Sequence, residues 1–251
     1  MAQRPSCRTC LKRDLMFQSM SLSLKHLLRK AVVGAGRVLP PPALTKAGNL
    51  VRELELDAWM RAHGLVIRNV VARREALFDL IVDEVGARPL LYLGFGIAKG
   101  PLIRYLSTRF THPDTVLHGF DSFEGLPEAW TENRPRGMFS TGGAIPKIDD
   151  PRVKFFKGWF ADTVPAYVPP EREIVIFNLD ADLYSSTILV LRTLQHLVRP
   201  GTYLYFDEFA SYGHEERAFR EFVQESGLQF KVRGAVPGLM NILFQCVSTT
   251  P

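Results

Sequence analysis

From residue 89 onward, short apolar runs alternate with longer segments whose apolar residues recur at helical spacing, and after residue 227 that alternation stops. Residues 228–233 and 241–247 both read as strands, and only a turn containing Gly234 and Pro237-Gly238 lies between them. A parallel pair needs a crossover of a dozen or more residues, so these two must pair antiparallel. The earlier strands, at 89–94, 116–121, 153–157, 174–180 and 202–207, are short and mostly apolar, with helices predicted at 101–110, 185–196 and 214–226. Runs of that kind are buried on both faces by covering helices. The expectation is a doubly wound α/β sheet, mostly parallel, with a C-terminal antiparallel hairpin.

Upstream, helical periodicity predicts two helices at 50–62 and 67–85, preceded by Pro40-Pro41-Pro42, which cannot continue a helix. We therefore divide the chain into a basic N-terminal arm, residues 1–49, and one domain, residues 50–251. A length of 251 residues suits one core and a short appendage rather than two large domains. The arm holds nine Lys and Arg, from Arg4 to Lys46, against the single acid Asp14, while the whole chain is only +5. The basic charge thus belongs to the arm, and that split argues against nucleic-acid binding by the domain. Leu22, Leu24, Leu27 and Leu28 beside Lys25, Arg29 and Lys30 suit a helix packing on a neighbour, a route to a homo-oligomer, in preference to an organelle transit peptide. Cys7, Cys10 and Cys246 are too few and too odd for a disulfide framework, and Cys7-x-x-Cys10 has no second metal-ligand pair, so all three read as free thiols in a reducing, cytoplasmic setting. No run approaches the roughly 20 apolar residues of a membrane span.

Within the domain, an apolar strand runs into Gly94-Phe95-Gly96-Ile97-Ala98-Lys99-Gly100 and then a helix. Glycines there let backbone approach a ligand and present amides near a helix N-terminus. Asp121 ends the next strand, where a carboxylate accepts the two hydroxyls of an adenosine ribose. Together these features point to an adenosine-containing cofactor, without separating S-adenosylmethionine from NAD.

Asp180 closes the fourth strand and Asp207-Glu208 the fifth. In an open parallel sheet the ligand crevice lies outside the carboxyl ends of the strands, so these acids converge near the glycine loop. Crowded carboxylates raise each other's pKa unless a cation neutralises them, and hard oxygen ligands select Mg²⁺, Mn²⁺ or Ca²⁺. Asp182 reads instead as the N-cap of the helix that begins near Ser185.

Three segments carry a family resemblance: Gly119-Phe120-Asp121-Ser122-Phe123-Glu124-Gly125-Leu126-Pro127-Glu128, Lys157-Gly158-Trp159-Phe160-Ala161-Asp162-Thr163-Val164-Pro165, and Leu179-Asp180-Ala181-Asp182-Leu183-Tyr184-Ser185-Ser186-Thr187. With them, residues 50–247 resemble the macrocin-type (TylF) O-methyltransferases. The resemblance implies a class I, Rossmann-like methyltransferase fold with S-adenosylmethionine at Gly94, Phe95, Gly96, Gly100, Asp121, Ser122, Gly158 and Trp159. It also implies Mg²⁺ held by Asp180, Asp207 and Glu208, a sugar or phenol hydroxyl as acceptor, and Asp180 serving as, or beside, the general base. Where the family commonly has Asp-Asp-Tyr this chain has Asp207-Glu208-Phe209. The long segment 128–151 shows no regular pattern and reads as a lid or binding loop. A nucleotide-dependent oxidoreductase or epimerase is disfavoured by the lack of a Tyr-x-x-x-Lys pair. The glycine loop and Asp121 speak against a metal-dependent sugar transferase suggested by Asp180-Ala181-Asp182, and Glu208-Phe209 is the sole hint of an inactive scaffold.

Overall fold

A computed structural model describes residues 22–249, so the expectations for Cys7, Cys10 and the first 21 residues of the arm lie outside the described residues. The chain separates into two compact units, residues 1–51 and 52–251. In the first, α1 (Leu22–Val38) is followed by α2 (Pro41–Ala62), whose last turns lie in the second unit. The proline triplet therefore starts a helix, because proline at the first helical turn gives up an N–H that no intrahelical carbonyl would accept. No described helix is long and apolar enough to cross a membrane.

The second unit continues with α3 (Arg74–Val85), β1 (Leu90–Phe95), α4 (Pro101–Arg109), β2 (Val116–Asp121), β3 (Val153–Lys157) and the short α5 (Phe160–Thr163). It ends with β4 (Ile174–Leu179), α6 (Tyr184–Thr193), β5 (Tyr203–Phe206), α7 (Glu215–Ser226), β6 (Leu228–Ala235) and β7 (Ile242–Thr249). The seven strands lie in the order β3-β2-β1-β4-β5-β7-β6. All neighbours are parallel except β5–β7 and β7–β6, so the predicted hairpin forms as expected. Strand order reverses between β1 and β4, which places the ligand crevice at the ends of those two strands.

Alternate residues of each strand feed two cores, one on each face of the sheet. Leu91, Leu93, Phe95, Phe177 and Phe206 belong to one, and Leu90, Tyr92, Ile176 and Tyr205 to the other. This double burial is why the strands read as continuous apolar runs. On the first face Phe95, Phe120 and Phe156 stack across neighbouring strands, with ring centroids 5.0 and 4.6 Å apart.

The helix predicted at 67–85 is shorter than its pattern. Backbone from Asn69 to Val71 bonds Ala235 of β6 instead, with Val71 N–H donating to the Ala235 carbonyl at 3.0 Å and Ala235 N–H to the Asn69 carbonyl at 3.0 Å. A tertiary pairing thus wins over a local helical spacing, and α3 starts only at Arg74.

His118 of β2 sits beside Tyr167, its Nδ1 2.7 Å from the phenol oxygen. Burial, and then the charge of Lys154, push the imidazole from 6.5 down to about 4. The folded state thus binds its proton less readily than the unfolded chain, so this stabilisation is complete above pH 6.5 and lost as pH falls towards 4. Urea midpoints measured at pH 7 and pH 5 should drop more in the wild type than in His118→Gln. Equal drops would remove His118 as the source of acid sensitivity.

Candidate active site

The carboxyl ends of β1, β2, β4 and β5 open into a cavity of about 790 Å³. It is lined by Gly96, Ile97, Ala98, Asp121, Ser122, Gly158 and Trp159 together with the acids Asp180, Asp182, Asp207 and Glu208. Leu126, Pro127, Met138 and Phe139, from the irregular segment after β2, also line it. That segment folds on itself through Leu126 N–H to the Met138 carbonyl at 3.0 Å and Trp130 N–H to the Arg134 carbonyl at 2.9 Å.

The glycine loop owes its shape to the protein as much as to any ligand. A side chain on Gly96 would place its Cβ 1.8 Å from the Asp180 carbonyl oxygen, and the residue sits at φ +88°. Asp180 N–H in turn donates to the Phe95 carbonyl at 2.9 Å, so loop and acidic turn are locked together. Gly94, Phe95 and Gly100 do not line the cavity: Gly94 packs against Ile97 and Tyr92, Phe95 is fully buried in the core, and Gly100 opens α4 in the left-handed region against Pro146. Asp121 anchors the loop, its Oδ2 accepting from Ile97 and Ala98 N–H at 2.7 Å each and its Oδ1 from Phe123 N–H at 2.6 Å.

The acids are crowded. Desolvation, then neighbouring Asp207 and Asp182, push Asp180 well above the ordinary carboxylate range. Burial and then Glu208 raise Asp182 to about 7, and burial is also the first cause of the upward shift of Glu208. Asp207 is the most firmly held member, its Oδ1 accepting from Tyr205 Oη at 2.5 Å, Asn241 Nδ2 at 3.0 Å and Arg74 Nη1 at 3.2 Å. Asp182 departs from its sequence reading. The N-cap of α6 is Leu183, with no side-chain cap, and Asp182 lines the cavity at φ +59°, a left-handed conformation that costs a non-glycine residue of order 1 kcal/mol or more.

Two participants carried no local signal. Glu215, in the first turn of α7, is fully buried, and its two oxygens accept from Ala181 N–H at 3.3 Å and Glu208 N–H at 3.1 Å. It thereby ties both acidic turns together from behind. Arg74, at the start of α3, faces the cavity and reaches Asp207 and Asp180. A glutamate opening a helix is ordinary, and an arginine within a predicted helix more so; only the tertiary fold gives either its meaning.

A hard-oxygen donor set with excess negative charge suits a divalent cation chemically. As the side chains stand, though, no group of three or more His, Cys, Asp or Glu among the described residues is arranged to hold one. Asp180 and Asp207 have the Arg74 guanidinium between them instead.

This sheet order and crevice define a class I, Rossmann-like methyltransferase fold. Comparison with known proteins agrees: the O-methyltransferase NovP superposes with a TM-score of 0.51 at 20% identity, covering 70% of this chain and 78% of that one. The calicheamicin methyltransferase CalS11 gives 0.51 at 17% identity over 98% and 94%. The family model described as macrocin-O-methyltransferase (TylF) matches residues 145–234. Demethyldecarbamoylnovobiocin O-methyltransferase of Streptomyces niveus is 37% identical over 180 residues, 63% of this chain and 67% of that protein. The 8-demethyl-8-(2,3-dimethoxy-alpha-L-rhamnosyl)-tetracenomycin-C 4'-O-methyltransferase of Streptomyces olivaceus is 32% identical over 118 residues, 39% of this chain and 44% of that protein, so the match spans less than half of that relative's length. The chain belongs to the TylF macrocin O-methyltransferase family.

Proposed function

We propose that this protein transfers a methyl group from S-adenosylmethionine to a hydroxyl of a small molecule, a sugar moiety or a phenol. The observation that carries the reading is one cavity lined both by the glycine loop, Asp121 and Gly158-Trp159 and by Asp180, Asp182, Asp207 and Glu208. One relative is named for methylating a rhamnosyl-bearing tetracenomycin and the other for demethyldecarbamoylnovobiocin, which supports a hydroxylated natural product as acceptor.

In this reading, Gly96 to Ala98 would hold a cofactor that supplies a methyl group on a sulfonium, and Asp180, Asp207 and Glu208 would be the residues to hold Mg²⁺, which when bound would supply positive charge beside the acceptor hydroxyl. Asp180 accepts the acceptor's O–H proton, with Asp182 beside it. The acceptor oxygen bonds to the methyl carbon as the carbon–sulfur bond breaks, leaving a methyl ether and S-adenosylhomocysteine. Alignment by the cavity walls contributes about 7 to 11 kcal/mol, against a factor of about 10² to 10⁴ from proton removal, so positioning dominates. The segment carrying Leu126, Met138 and Phe139 excludes water from the reacting atoms.

Calorimetric titration tests the reading directly, with S-adenosylmethionine, NAD and a nucleotide sugar each added with and without Mg²⁺. The expected result is saturable binding of S-adenosylmethionine alone. Preferential binding of NAD would sink the methyltransferase assignment.

A further inference from the structure

Arg74 is the cavity-lining cation that contacts Asp180 and Asp207; Arg136 also lines the cavity, and the charge of Arg134 acts on Asp182 and Glu208 instead. Arg74 Nη1 lies 3.2 Å from Asp207 Oδ1 and 3.8 Å from Asp180 Oδ2, and its Nε is 3.6 Å from Glu75 on the same helix turn. The side chain is 30% exposed and Asp207 only 14%, so the pair is sheltered enough for the charge to matter and open enough for the guanidinium to leave. Asp207 cannot retreat, because Tyr205 and Asn241 fix the same oxygen from the protein side. Arg74 can, since its long side chain stands at the first residue of a helix and has many rotamers.

We propose that Arg74 is the resident counter-cation of the acidic cluster: it stands between Asp180 and Asp207 while no other cation is bound, and a divalent ion must displace it to reach those carboxylates. The proposal deepens the metal part of the functional reading and is independent of the methyl donor. Two features of the geometry require it. Asp180 and Asp207 belong to neighbouring strand ends held together by Glu215, and two such carboxylates without a cation would repel. The guanidinium is also the third donor to Asp207 Oδ1, beside Tyr205 and Asn241.

A site blocked by its own arginine binds a competitor with its intrinsic affinity divided by the fraction of time the site is open. Removing the arginine should therefore tighten metal binding. Mg²⁺ alone, titrated calorimetrically into the full chain without cofactor, is expected to bind Arg74→Gln about tenfold more tightly than the wild type, with Arg74→Lys in between. Thermal unfolding without Mg²⁺ should occur at lower temperature in Arg74→Gln, and Mg²⁺ should restore it more than it raises the wild type. In the wild type, saturating Mg²⁺ should also speed amide exchange at residues 73–77, where the released side chain no longer tethers the helix start. That last measurement decides the matter even if Arg74→Gln does not fold. Equal Mg²⁺ affinity in wild type and Arg74→Gln, no Mg²⁺ binding by either, or unchanged exchange at residues 73–77 under Mg²⁺ would each overturn the proposal. Cofactor titration is separate, so a protein that binds Mg²⁺ competitively and ignores S-adenosylmethionine would keep this inference and lose the proposed function.

Discussion

Gly96→Ala is expected to be the most damaging single substitution in the candidate site, lowering stability by about 3 kcal/mol or more and cofactor affinity by about a hundredfold. The added Cβ would meet the Asp180 carbonyl oxygen at 1.8 Å, and that oxygen is backbone, without the freedom of a side-chain tip to swing away. The residue's φ of +88° adds strain that only glycine escapes. Relief requires the loop to separate from the β4 end, which breaks the Asp180 N–H to Phe95 carbonyl bond and shifts Ile97 and Ala98 away from Asp121. Gly142 is the control: it too has positive φ, at +66°, but a Cβ there meets nothing within 4 Å, so Gly142→Ala should cost only about 1 kcal/mol of backbone strain. Urea unfolding and calorimetry with S-adenosylmethionine check both. A Gly96→Ala protein with wild-type midpoint and affinity would show that the loop and the acidic turn are not coupled.

That coupling marks the boundary of what could be read from the chain. Strands β1, β4 and β5 were legible because burial on both faces leaves nearly unbroken apolar runs, and the final hairpin because 228–247 has no room for a crossover. The acids at Asp180, Asp207 and Glu208 were legible as neighbours because strand ends in a parallel sheet share one edge. Residues 67–73 misled, since the apolar spacing that continues into α3 is helical while Asn69 to Val71 bond Ala235, a partner no local pattern announces. Asp182 misled for a related reason. An aspartate just before a helix is ordinarily a cap, and nothing local shows that this one turns left-handed into the cavity. Arg74 lies 133 residues from Asp207 and Glu215 34 residues from Ala181, so their roles appear only once the sheet brings β4 and β5 together.

Asp180→Asn should reduce turnover by about 10³-fold or more while changing S-adenosylmethionine affinity by no more than about twofold. Asparagine keeps the size of the side chain and leaves the backbone bond to Phe95 intact, so the glycine loop remains in place. What disappears is the negative oxygen that would take the acceptor's proton. The same substitution should leave stability unchanged or raise it. Desolvation and the nearby Asp207 and Asp182 hold the Asp180 pKa well above its unfolded value, so near neutral pH the ionised form costs the fold free energy that a neutral amide does not. The sign follows from the direction of the shift: an acid whose folded pKa is raised destabilises the native state once the pH exceeds its unfolded pKa. Loss of activity combined with equal or greater stability is the pattern expected of a group kept for chemistry at a structural cost. Single-turnover methyl transfer with labelled cofactor, beside urea unfolding at pH 7, measures both quantities. Retained turnover would take Asp180 out of the proton-accepting role, and Asp182→Asn, tested in parallel, would then show whether the neighbouring carboxylate holds it.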